Sequence, residues 1–160
     1  MRTEAEIRDL LEQVKDPEIP VISIRELGVL RDVKVDGDRV EVTITPTYSG
    51  CPAMDVMKED VEKALREAGI ERFNVKQVLT PAWSTDWISE SGRKHLLDYG
   101  IAPPPHTSDI RALKGGVPVT ACPQCGSTDT ALVSQFGSTA CKALYKCNAC
   151  KEPFDLFKCL

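Results

Sequence analysis

Histidine is nearly missing from this 160-residue chain, which has two in all. That supply cannot build the carboxylate–histidine pairs of a di-iron site or the histidine set of a zinc hydrolase. Excess positive charge is missing as well. The formal net charge is −4. A division after Gly116 leaves −5 in front of it and +1 behind. Neither part carries an electrostatic footprint for DNA or RNA. No apolar run approaches the roughly eighteen residues of a membrane span. The start, Met1-Arg2-Thr3-Glu4-Ala5-Glu6, has no apolar stretch or cleavage site and reads as an acidic helix start, not a signal peptide. A Gly-rich phosphate loop, a serine nucleophile elbow and a dinucleotide fingerprint are all absent. The expectation is a cytoplasmic protein that binds neither nucleic acid nor membrane and is not an enzyme on its own.

Cysteine is what the chain does have. There are seven, six of them after Gly116. Without an export signal, that pattern reads as metal binding and thiol chemistry in a reducing compartment, not as a disulfide framework. Cys122-x-x-Cys125 and Cys147-x-x-Cys150 are separated by 21 residues. Two knuckles at that spacing present four thiolates as a tetrahedron around one metal ion. The segment around them is too small for a hydrophobic core to hold it alone, so the metal holds it. Structural zinc is the leading choice; an iron–sulfur cluster uses the same ligands and stays open. Cys141 is an extra thiol that could exchange with a ligand, and Cys159 reads as a passenger.

The front part reads as helix, hairpin, helix, strand, helix. Thr3 and Glu6 form a capping-box pattern, and Ile7, Leu10, Leu11 and Val14 repeat at helical spacing. Asp16-Pro17 ends that helix. Val33 and Val35, then Val40, Val42 and Ile44, alternate around Asp36-Gly37 as a hairpin. Pro52 opens a second helix that Gly69 closes. Phe73 to Thr80 is a third strand, and a short helix covers Ser89 to Tyr99. Pro103-Pro104-Pro105 begins a stiff spacer. The expected architecture is α+β, a small and mostly antiparallel sheet with helices on one face, followed by a zinc-ribbon-like module. The expected division is 1–101, a linker at 102–118, and 119–160.

Within the front part, Cys51 is the residue placed for chemistry. It stands at the start of the second helix, where the helix dipole and unpaired N–H groups favour a thiolate. The plain alternative is a small buried residue. Asp16 and Glu18 are carboxylates suited to acid–base work or iron ligation, or to capping a turn. Should they lie near Cys51, their charge would raise its pKa against the dipole. Trp83 and Trp87 read as core packing or as a partner contact.

The run Asp16-Pro17-Glu18-Ile19-Pro20-Val21, Leu27-Gly28-Val29, the hairpin and Cys51-Pro52 together resemble the iron–sulfur-assembly domain found with SUF systems and in cytosolic cluster-targeting factors. With Trp83-Ser84-Thr85-Asp86-Trp87, Phe136-Gly137-Ser138-Thr139-Ala140-Cys141-Lys142-Ala143 and Glu152-Pro153-Phe154, the chain resembles the PaaD (PaaJ) family. These are accessory subunits encoded with the bacterial phenylacetyl-CoA epoxidase. The resemblance implies a factor that helps assemble or repair a metal centre of the oxygenase or reductase subunit. Cys51, Asp16 and Glu18 would handle iron or a transient iron–sulfur cluster, across a homodimer if need be. The rival expectation is a structural adaptor that holds oxygenase subunits together through the ribbon.

Overall fold

The computed structural model describes residues 2–48, 50–104, 113–114, 117–118 and 120–157. His106 and Cys159 lie outside them. The chain divides into two compact units, 1–83 and 84–160. This boundary falls earlier than the proline stretch suggested, for a reason visible in the second unit.

In the first unit, α1 (Glu4–Leu10) begins with the expected capping box. Thr3 Oγ1 accepts from Glu6 N at 3.2 Å, and Thr3 N donates to Glu6 Oε2 at 2.6 Å. A 3-10 turn (Leu11–Gln13) continues it, and Ile7, Leu11 and Val14 are buried. The hairpin strands β1 (Leu30–Asp36) and β2 (Arg39–Ile44) pair antiparallel, Val33 opposite Val42 and Val35 opposite Val40. Helix α2 (Ala53–Glu67) buries Ala53, Met54, Met57, Val61, Ala64 and Leu65 along one stripe. Each large apolar side chain buried in this way contributes roughly 1.5–3 kcal/mol. The helix closes with Gly69 N donating to Arg66 O and Ile70 N to Leu65 O. Gly69 takes φ +79° there, a conformation that costs glycine little.

Strand β3 (Arg72–Gln77) runs parallel to β2, Val42 beside Val75. The front sheet, ordered β1-β2-β3, is therefore mixed, with one antiparallel and one parallel pair. A helix of 15 residues spans the length of the sheet, so the chain returns to the edge where β2 began and re-enters in the same direction. Cys51 thus lies between β2 and α2, at the end of the parallel pair where ligand sites form in α/β units.

In the second unit, a 3-10 turn (Thr85–Trp87) leads to α3 (Glu90–Asp98), whose N-cap Ser89 accepts from Gly92 N. Next comes β4 (Ile101–Ala102). Strands β5 (Leu113–Lys114) and β6 (Val117–Pro118) pair with each other. Strands β7 (Thr130–Ser134), β8 (Lys142–Cys147) and β9 (Pro153–Phe157) form the antiparallel ribbon. The short β4 adds to it, parallel to β9, with Ile101 beside Asp155 and Ala102 beside Leu156. The sheet order is β4-β9-β8-β7. This pairing explains the boundary. Ala102 joins Cys122, Ala143, Tyr145, Cys147, Phe154 and Leu156 in the ribbon's core, so 84–104 belong to the ribbon and not to the front unit. Arg93 fastens the same stretch by donating to the carbonyls of Thr85 and Pro104.

Candidate metal and thiol sites

The four knuckle cysteines converge as their spacing implied. Their sulfurs all lie within 4.8 Å of one another. Cys122 and Cys150 sulfurs are 3.7 Å apart, and Cys125 and Cys147 sulfurs 3.6 Å. A tetrahedron with metal–sulfur bonds of about 2.3 Å has edges of about 3.8 Å. The sulfurs therefore fit one ion, whereas a cluster spreads its cysteines over several irons. Each knuckle turns a backbone N–H onto its first sulfur: Gln124 N onto Cys122 at 3.4 Å, and Cys150 N onto Cys147 at 3.5 Å. Crowding divides the protons unevenly. Backbone donation from Cys150 leads in drawing Cys147 down to about 7. Cys150 is pushed up to about 12: the backbone N–H of Glu152 pulls the other way, but burial and the sulfurs of Cys147, Cys122 and Cys125 outweigh it. A divalent ion would convert all four to thiolates. Cys141 is not brought to this group. It is buried, with Thr139 Oγ1 at 3.1 Å from its sulfur, and it stands apart from the four sulfurs with which it was expected to exchange.

Cys51 precedes α2 by two positions, since Pro52 occupies the N-cap, and it is half-buried. Its thiol is pushed up, not down. Burial is the largest cause, and the negative charges of Glu18 and Asp16 add to it; the N–H of Ala53 and the Tyr48 side chain pull the other way without prevailing. The expectation that the helix end favours a thiolate is corrected on that balance. The expected proximity of the two carboxylates is met in electrostatic terms. Among the described residues, however, the four knuckle cysteines form the group able to hold a metal, and Cys51 is not in it.

Asp16 is buried, and its Oδ1 accepts from Glu18 N at 2.7 Å and Ile19 N at 2.9 Å. It fixes the turn through Pro17. The next turn is held reciprocally, Ser23 N donating to Glu26 Oε2 and Glu26 N to Ser23 Oγ, both at 3.0 Å. Sequence reading missed this Ser-x-x-Glu lock, although its spacing is that of a capping box. Trp83 is 5% exposed and donates Nε1 to Leu27 O at 2.9 Å. It is a core side chain, and its reading as a partner contact is set aside because its ring has no free face. Trp87 is half-buried.

Among the described residues no helix is long and apolar enough to cross a membrane. Residues 4–79 match the family described as iron-sulfur cluster assembly protein, and residues 106–158 match the PaaD zinc beta ribbon domain. A protein of Escherichia coli (strain K12), named as a putative 1,2-phenylacetyl-CoA epoxidase subunit, is 46% identical over 97% of this chain and 92% of its own length. An Fe-S protein maturation auxiliary factor of Porphyromonas gingivalis is 36% identical over 60% of this chain and 92% of its own. A crystal structure of a domain of unknown function from Bacillus anthracis superposes with a TM-score of 0.54 at 31% identity, covering 58% of this chain and 90% of that one.

Proposed function

This chain belongs to the PaaD family of phenylacetyl-CoA epoxidase subunits, in which an iron–sulfur-assembly domain precedes a zinc ribbon, and from that premise we propose that it is a maturation factor for a metal centre of the epoxidase. Cys51 transiently ligates iron or an iron–sulfur cluster bound for the oxygenase or the reductase subunit. The ribbon carries a structural zinc on Cys122, Cys125, Cys147 and Cys150, and docks on the client. The protein works in the cytoplasm.

The carrying observation is Cys51 itself: one half-buried thiol, kept protonated by burial and by Glu18 and Asp16. Such a thiol resists stray electrophiles and yields its proton when a metal arrives. One sulfur cannot retain a cluster, so the cargo is shared with ligands of the client or of a second copy and passes on. Asp16 acts from its turn, holding Glu18 in place.

The same burial favours one rival, an adaptor in which Cys51 only packs and the ribbon bridges oxygenase subunits. Co-expression of a Cys51→Ser chain with the epoxidase subunits separates the two. Maturation predicts oxygenase and reductase that assemble but are depleted in iron or cluster, at least about tenfold. Full metal content with full ring epoxidation leaves the adaptor.

A further inference from the structure

We propose that Cys125 is the oxidation site of the ribbon, the sulfur at which a hydroperoxide enters the four-cysteine group and from which the ion is lost. The inference rests on the single-ion reading of that group. Its four sulfurs are unequally protected. Cys122 is 2% exposed and accepts from Gln124 N; Cys147 is 0% exposed and accepts from Cys150 N. Cys150 is half-buried and receives the backbone N–H of Glu152. Cys125 is the exposed member, and its polar neighbour is the Cys147 sulfur at 3.6 Å. An N–H···S bond withdraws electron density from a thiolate, and burial keeps oxidants away. Cys125 is the exposed residue of the four, and among the described residues no backbone N–H is directed onto its sulfur as one is onto each of the others, so it is the member that an oxidant reaches first.

The reaction balances with a hydroperoxide as the oxidant. The Cys125 thiolate attacks the nearer peroxide oxygen. An S–O bond forms, the O–O bond breaks, and hydroxide leaves and takes up a proton. The Cys147 thiolate then attacks the Cys125 sulfur, forming an S–S bond and expelling the second hydroxide, which is also protonated. Two thiolates have given up two electrons, and one hydrogen peroxide with two protons has become two waters. A sulfenic acid is a poor ligand, and a Cys125–Cys147 disulfide removes two of the four donors. Cys122 and Cys150 alone do not hold a tetrahedral ion.

The full zinc-loaded chain is treated with substoichiometric hydrogen peroxide. Free zinc is followed with a chromogenic chelator, and each cysteine is mapped by differential alkylation and mass spectrometry. Cys125 is expected to oxidise ahead of the other three knuckle cysteines by at least about fivefold, with zinc release in step and a Cys125–Cys147 disulfide as product. Oxidation beginning at Cys122, Cys147 or Cys150, or oxidation of Cys125 with zinc retained, overturns the inference and leaves the zinc reading standing. A chain that purifies under reductant without any bound ion overturns both. In Cys125→His, which keeps four ligands, peroxide-driven release slows by at least about fivefold; unchanged release also overturns the inference, and mapping in the unaltered chain decides should that variant not fold.

Discussion

Cys51 sits between opposing fields. The start of α2 offers it N–H groups, while burial, Glu18 and Asp16 push its proton on harder. Two consequences can be measured. Its alkylation rate rises with pH through a midpoint above the ordinary thiol range, and Glu18→Gln moves that midpoint down. A midpoint unchanged by that substitution would mean that Glu18 exerts no field at the sulfur. Because the folded pKa is raised, the associated stability is fully present below the ordinary thiol pKa and is lost as pH climbs through the raised value. Cys51→Ser therefore flattens the alkaline end of the stability profile.

Among the elements, some were legible and others were not. Thr3 with Glu6 announced α1, Asp36-Gly37 announced the hairpin, and the two Cys-x-x-Cys knuckles announced their own convergence, because each signal is local and its spacing fixes its geometry. The parallel direction of β3 was not legible, since nothing in Phe73 to Thr80 records which way the strand runs. Strand β4 was less so. Its two residues carry no periodicity and take their partners from Asp155 and Leu156, some fifty positions away. Through that pairing β9 is flanked on both sides. The state of Cys51 was also unreadable, because burial, which dominates it, is a property of the fold. The β4 contact is open to test. Ile101 is 4% exposed, so Ile101→Asp puts a charge where none is solvated and costs about 2–4 kcal/mol. Hydrogen exchange is expected to quicken at the amides of Asp155 to Phe157 and far less in the β7–β8 hairpin. Equal acceleration throughout the ribbon would mean that β4 and the β7–β8 hairpin open as one cooperative unit.

For the whole molecule, the two units draw on different sources of stability. The first, 1–83, buries Ile7, Leu11, Ile24, Leu27, Ile44, Val61 and Leu65 completely. The second has a small core of which Cys122 and Cys147 are themselves members, so an ion held by the four cysteines would stabilise that core directly. Structural zinc is worth about 10–16 kcal/mol in small modules of this kind. Calorimetry of the full chain is expected to give two transitions. Exhaustive chelation should abolish the one belonging to 84–160 and leave the other within a few degrees. A single transition that shifts as a whole would mean that the units melt together.

The pairing of Ile101 and Ala102 with β9 also decides where added length would count. A leash gives slack only while one end is free, and Ile101 and Ala102 are already tied into the sheet that carries β9, β8 and β7. Residues spliced in after Ala102 would therefore fall within the second unit and add no length between the two units. To lengthen the tether itself, an engineer would have to cut between Trp83 and Ser84, where the chain passes from one unit to the other.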